Sequence, residues 1–174
     1  MKTSTQSSAD LAHVATLIDD IPIAMLTTTE ADGALTGRPM AVLEMDDQGA
    51  LWFFTDLRSS KVEHLPVAHL GFTDMVHATY VSLSGRAEID TDRTRIKRLW
   101  TNFAKPWFPD GPDSPNLALL KFIPDAVDYW DGPSSKMVRA FGMLASVVAG
   151  KPVGLGEHGS HTGLSDPAAV LRTA

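Results

Sequence analysis

The strand-like runs of this chain are joined by connections too short for anything but antiparallel neighbours. Ile23 to Thr29, Leu35 to Met45 and Ala50 to Thr55 are apolar, β-branched or aromatic runs. Between them lie only the turns Glu30-Ala31-Asp32-Gly33 and Asp46-Asp47-Gln48-Gly49. A parallel return would need a crossover of about a dozen residues or more, so these three runs form an antiparallel meander. Val67 to Thr73 adds a strand. Tyr80 to Ile89 alternates most cleanly: Val81, Leu83, Gly85, Ala87 and Ile89 share one face, and Tyr80, Ser82, Ser84, Arg86 and Glu88 the other. Gly85 marks a bend or bulge, as a curling strand requires. Leu117 to Asp131 is the sixth run, and Pro124 demotes its middle to an edge or bulge. The expected fold is mainly β (α+β), a six-stranded antiparallel barrel with peripheral helices.

The helices are short. Leu11, Val14, Ala15 and Ile18 stripe a helix over 8–21, with Ser7 or Ser8 as its cap and Pro22 at its end. Ser60-Lys61-Val62-Glu63 has capping-box spacing and opens a brief helix that Pro66 stops. A charged helix over 92–100 turns Ile96, Leu99, Trp100 and Phe103 inward. The loop over 104–116 follows, with Pro106, Pro109, Pro112 and Pro115. Phe141, Leu144, Ala145 and Val148 stripe a last helix, closed by Gly150. Residues 1–150 are thus expected as one domain with its N-terminal helix. The Gly-, His- and Ser-rich stretch 151–174 is expected as a loosely ordered, flexible tail.

Composition narrows the function classes. Fifteen Lys and Arg against 21 Asp and Glu leave a net charge of −6, which argues against general nucleic-acid binding. The cluster Arg93, Arg95, Lys97, Arg98 lies on one short amphipathic helix beside Asp90 and Asp92 and reads as a solvated face. The chain has no cysteine, so disulfides, thiolate nucleophiles and Cys–zinc sites drop out. His158 and His161 have ligand-like spacing, but a loose tail offers no second layer of groups to organise a metal. With no apolar stretch near the length of a membrane span, and a polar, acidic start, the expectation is a soluble cytoplasmic protein.

Chemistry concentrates in Trp52-Phe53-Phe54-Thr55-Asp56-Leu57-Arg58-Ser59-Ser60-Lys61. A helix N-terminus carries unpaired N–H groups and about half a positive charge. There Ser59, Ser60 and Lys61 could converge on a phosphate. The same residues also suit a surface helix capped by Ser60 beside a solvated Lys61, and the local pattern leaves both readings open. Arg38, in Thr36-Gly37-Arg38-Pro39-Met40, shares a face with Met40 and Val42 and has the two-pronged fork that grips phosphate. An edge arginine lying over the barrel is the alternative.

Taken in order, these segments resemble the FMN-binding split-barrel superfamily of pyridoxamine 5'-phosphate oxidase-like proteins, and within it the general stress protein 26 branch. The resemblance runs from about Ile23 to Gly150. It is carried by Gly37-Arg38-Pro39-Met40, Leu51-Trp52-Phe53-Phe54-Thr55, Ser59-Ser60-Lys61-Val62, Val81-Ser82-Leu83-Ser84-Gly85-Arg86-Ala87 and Asp128-Tyr129-Trp130-Asp131-Gly132-Pro133. It implies a split barrel and a homodimer with two FMN sites at the subunit interface. Arg38 and Lys61, with Ser59 and Ser60, would hold the FMN phosphate. Pro39, Met40, Phe54 and Thr55 would line the isoalloxazine and ribityl chain, and Trp107 or Trp130 would close the site from the partner subunit.

The chain departs from the oxidase itself. It lacks the Arg-x-His and Trp-Arg-x-Arg-like segments expected after Trp130, and it has Ser60-Lys61 where the oxidase has a basic pair. True pyridoxamine-phosphate oxidase activity is therefore not expected. The resemblance implies a flavin-dependent oxidoreductase that passes hydride between the flavin and a small redox substrate. Its alternatives are a non-enzymatic flavin-binding stress protein, and a deazaflavin-dependent reductase of the same fold.

Overall fold

One long strand bends, and that bend rolls the sheet up. A computed structural model describes residues 1–59, 65, 67–132, 143, 146, 147, 149 and 156–164. Its elements are β1 (Lys2–Thr3), α1 (Ala9–Ile18), β2 (Ile23–Thr29), β3 (Leu35–Ala41), β4 (Glu44–Met45), β5 (Leu51–Asp56), β6 (Ala68–Asp74), β7 (Thr79–Asp90), α2 (Arg93–Leu99), β8 (Leu117–Asp131) and β9 (Glu157–Thr162). The strands form one sheet in the order β1-β4-β5-β8-β7-β6-β2-β3, and β9 pairs with β8. The run expected over 35–45 is β3 and β4 together. Its first half pairs with β2, from Leu35↔Thr29 to Ala41↔Ile23. Its second half pairs with β5, Glu44↔Trp52 and Met45↔Leu51.

At the bend, Val42 N–H donates to Pro22 O and Leu43 N–H to Trp52 O, both at 2.9 Å. One segment thus ties the two ends of the sheet together and curls it into a barrel. Above the bend β3 and β5 run close, yet no ladder joins them among the described residues. That unpaired seam is the split in the barrel.

The six expected strands are present as β2, β3 with β4, β5, β6, β7 and β8. Three differences need correction. The bend divides one strand in two. The two-residue β1 lies parallel to β4, so the sheet is mixed rather than wholly antiparallel. Within the tail, Glu157–Thr162 is ordered as β9, in register with Ala126 to Asp131. There β8 runs beyond the end of β5 and presents a free edge, and satisfying that edge orders the segment.

Side-chain alternation sets the core. Leu26 on β2, Met40 on β3, Phe53 on β5, Phe72 on β6, Leu83 on β7 and Phe122 on β8 point inward. The expected face of α1 (Leu11, Val14, Ala15, Ile18) packs with them in one cluster. Ser8 caps α1, accepting from Leu11 N–H at 3.2 Å. The outer face of β5 is buried as well: Trp52 and Phe54 meet Ile96 and Leu99 of α2, together with Leu117 and Leu119. Phe103, expected inward, is 69% exposed. The helix stops at Leu99 and Trp100 is extended, so helical spacing does not carry on to residue 103. The brief helix expected over 60–65 lies outside the described residues except for Leu65, which is buried and accepts Ala87 N–H. The stripe Phe141, Leu144, Ala145, Val148 also lies outside them.

A bidentate ion pair fastens α2 to the bend. Arg98 Nη1 and Nη2 donate to the two Glu44 carboxylate oxygens at 2.8 and 2.7 Å, with the Glu44 side chain 10% exposed and that of Arg98 50%. Chiefly the Arg98 hydrogen bonds hold the Glu44 carboxyl below its ordinary value of 4.5. A lowered folded pKa makes the contribution complete above that ordinary value and loses it as pH falls through the folded one. Replacing Arg98 with methionine should cost about 1–2 kcal/mol at neutral pH, since half of the pair is solvated. The deficit should shrink as thermal unfolding is followed down to pH values that protonate Glu44.

Candidate functional site

Two of the sequence-derived candidates, Arg38 and Thr55, lie on β3 and β5, the strands that flank the seam. Hairpin register sets Arg38 opposite Leu26 and turns it to the inner face with Met40. Its side chain is 23% exposed. Nη1 donates to Thr28 Oγ1 at 3.1 Å, and Nη2 donates to Glu30 Oε1 at 2.9 Å. A guanidinium has five N–H donors, so these bonds use two of them. Arg38 does lie in a hairpin, but its strand partner is β2; the aromatic strand β5 faces it only across the seam. Pro39 alternates to the opposite, outer face and is exposed.

Across the seam, Thr55 occupies the inner face of β5. It is 1% exposed, and among the described residues its Oγ1 is buried without a hydrogen-bond partner. An orphaned buried hydroxyl costs about 1–3 kcal/mol, so it calls for an acceptor or donor that the described residues do not bring. The next residues form a hydrogen-bonded turn. Arg58 N–H donates to Asp56 Oδ1 at 2.8 Å and Ser59 N–H to Asp56 O at 3.0 Å. The Arg58 guanidinium clasps the Asp56 carboxylate with bonds of 3.0 and 2.6 Å, which pushes its pKa up and largely cancels its charge locally. Ser59 therefore sits at the seam end of β5, while Ser60 and Lys61 lie outside the described residues.

Phe54 faces away from Thr55. Its ring packs 5.6 Å from Trp100 and 6.0 Å from Phe108, under α2 and the proline-rich loop. The structure thus separates Phe54 and Thr55 onto opposite sides of β5, a direct result of strand alternation. Trp107 is 66% exposed beside Phe103, and Trp130 is 48% exposed, 4.9 Å from the His158 ring. Spacing of three on a strand sends His158 and His161 to opposite faces; His161 stacks on Tyr129 instead.

A second feature belongs to the outer face of the sheet. Register aligns Pro39, Met25, Gly71, Ser82 and Asp128 across β3, β2, β6, β7 and β8. Ile23, Met25, Tyr80 and Trp130 leave this face exposed and apolar. On it, Cβ atoms placed at Gly37 and Gly71 would meet no atom of the described residues, sequence neighbours aside, closer than 3.5 Å. No described residue packs so closely as to require either glycine, and strand glycines of this kind occur where another backbone or a ligand comes close. His69 sits here with Nε2 2.8 Å from Ser82 Oγ, its pKa lowered by burial.

Sequence reasoning missed Thr28 and Glu30, which position Arg38. The only trace was an acidic residue eight positions before the arginine, and it becomes informative once the hairpin register is known.

A split barrel with a braced arginine on the inner face of β3 and an orphaned hydroxyl on the inner face of β5 places the chain among the small split β-barrels. The chain belongs to the pyridoxamine 5'-phosphate oxidase like family, whose model matches residues 9–153. Its solved neighbours include a protein of Jannaschia sp. CCS1 described as a general stress protein 26. That protein is 26% identical with a TM-score of 0.71, covering 89% of this chain and 99% of its own. The general stress FMN/FAD binding protein of Xanthomonas citri is 29% identical with a TM-score of 0.62, covering 74% and 93%. Protein bli-3 of Neurospora crassa is 26% identical over 141 residues, 74% of this chain and 68% of its own. The Jannaschia neighbour carries the name of the branch to which the sequence resemblance points. Among the described residues no helix is long and apolar enough to cross a membrane.

Proposed function

We propose that this chain is a cytoplasmic homodimeric FMN-binding protein that acts as a flavin-dependent oxidoreductase. The observation that carries the proposal is made on the two strands that flank the seam: on β3 a guanidinium with donors to spare, and on β5 a buried hydroxyl with no partner among the described residues. A phosphorylated polyol chain brings an anion for the first and hydroxyls for the second, so the residues fit the group. The Xanthomonas citri relative, by its name an FMN/FAD binding protein, supports the same reading.

Arg38, Ser59, Ser60 and Lys61 would hold the phosphate, and Thr55 the ribityl chain. Pro39, Met40 and the backbone of Phe54 would wall the ring; the Phe54 side chain is already committed to the packing under α2. Bound flavin would accept and donate hydride at N5, while the protein supplies position and electrostatics. The exposed apolar sheet face, with its two sterically unneeded glycines, supports the dimer and a site closed by Trp107 or Trp130 of the other subunit.

Purified protein should be yellow and release FMN, identified by mass. By light scattering it should have twice the 18.8 kDa mass of the chain. A monomer that still bound FMN tightly would overturn the shared site. Release of a deazaflavin would replace the cofactor, and an absence of flavin-dependent NADPH consumption would favour a carrier over an enzyme.

A further inference from the structure

Arg38 has two partners of different kinds. Thr28 is 1% exposed, and its hydroxyl fixes one edge of the guanidinium. Glu30 is 26% exposed and brings a full negative charge to the other nitrogen, 2.9 Å away. That carboxylate is carried on a hydrogen-bonded turn: Glu30 N–H donates to Ala34 O at 2.7 Å, and Gly33 N–H donates to Glu30 O at 2.9 Å. The backbone therefore holds Glu30 beside Arg38, and solvent reaches both side chains. A neutral brace would suffice to orient the arginine, and Thr28 already provides one.

We infer that Glu30 is a competitor built into the chain: its carboxylate contends with the ligand's phosphate for Arg38, and so sets how strongly the site prefers a phosphorylated flavin. The inference rests on the flavin reading above. A phosphate monoester carries about −1.5 to −2 charge and three acceptor oxygens, against one charge on a carboxylate. Phosphate therefore wins the guanidinium, but gains only the difference between the two anions, and Glu30 remains nearby to repel it. A flavin without phosphate makes no demand on Arg38 and is indifferent to Glu30.

The test uses the full chain and its Glu30→Gln variant, titrated with FMN and with riboflavin by quenching of flavin fluorescence at neutral pH. FMN should bind about tenfold more tightly to the variant, a change of about 1.4 kcal/mol, with riboflavin affinity unchanged. In an Arg38→Ala background the same substitution should raise FMN affinity by much less than tenfold, since only the direct repulsion by Glu30 is then relieved, and should leave riboflavin affinity unchanged. Weaker or unchanged FMN binding in Glu30→Gln, or an equal gain for both flavins, overturns the competition. If Glu30→Gln fails to fold, Glu30→Ala makes the same comparison. Failure of the unsubstituted protein to bind either flavin is a separate result, and removes the flavin reading together with this inference.

Discussion

An Arg38→Ala variant is expected to bind FMN about 10- to 150-fold more weakly than the unsubstituted protein, a loss of about 1.5–3 kcal/mol for one charge-assisted contact to phosphate. Lys61→Ala should fall in the same range. Folding and binding should separate cleanly for Arg38. Its pair with Glu30 is about a quarter exposed on either side, so breaking it should cost at most about 1 kcal/mol of stability. Arg38→Lys should recover only part of the affinity, because an ammonium is a point charge without the planar fork. Titration calorimetry checks each value. Unchanged affinity in both alanine variants would falsify the phosphate assignment.

Gly85→Val should destabilise the fold by about 3 kcal/mol or more, lowering the unfolding midpoint by roughly 6–12 °C for a chain of this size. A Cβ at Gly85 would lie 2.2 Å from Ile123 O and 3.0 Å from the Phe122 ring. Backbone cannot rotate out of the way as a side chain can. The closeness comes from a bulge: Ser84 pairs with Ala126 while Gly85 pairs with Pro124, so Asp125 is the extra residue. Proline has no N–H for the ladder, and the register slips beside it. The Asp125 carbonyl instead accepts Gly163 and Leu164 N–H, which anchors the chain just after β9. Loss of secondary structure on heating, followed by circular dichroism, measures the shift. A midpoint within a degree of the unsubstituted protein would show that the two strands part here at no cost.

Much of this architecture was legible because alternation and turn chemistry are local. The inward face of Tyr80–Ile89, the bulge at Gly85 and Pro124, the stripe of α1 and the meander of the first strands all follow from neighbours a few residues apart. Departures arose where distant segments decide. Nothing local says that the run over 35–45 bends to pair with two different strands. Phe103 shows the same limit: helical spacing reached it on paper, but the helix ends four residues earlier. The tail was expected to be loose on composition, and only the bare edge of β8 accounts for the order of Glu157–Thr162.

The candidate site divides along the same line. Arg38 and Ser59 were visible as residue types suited to an anion, and Thr55 entered through the family resemblance. Their chemistry, the antiparallel barrel and the family resemblance are properties of the linear chain, because period-two burial, turn residues and donor inventory are written in adjacent positions. Tertiary structure alone decided that Thr55 is buried on the inner face while Phe54 is spent on packing, and that Arg38 meets Thr28 and Glu30. Those outcomes depend on hairpin register and on closure of the barrel. Long-range pairing sets both, and no window of sequence contains it.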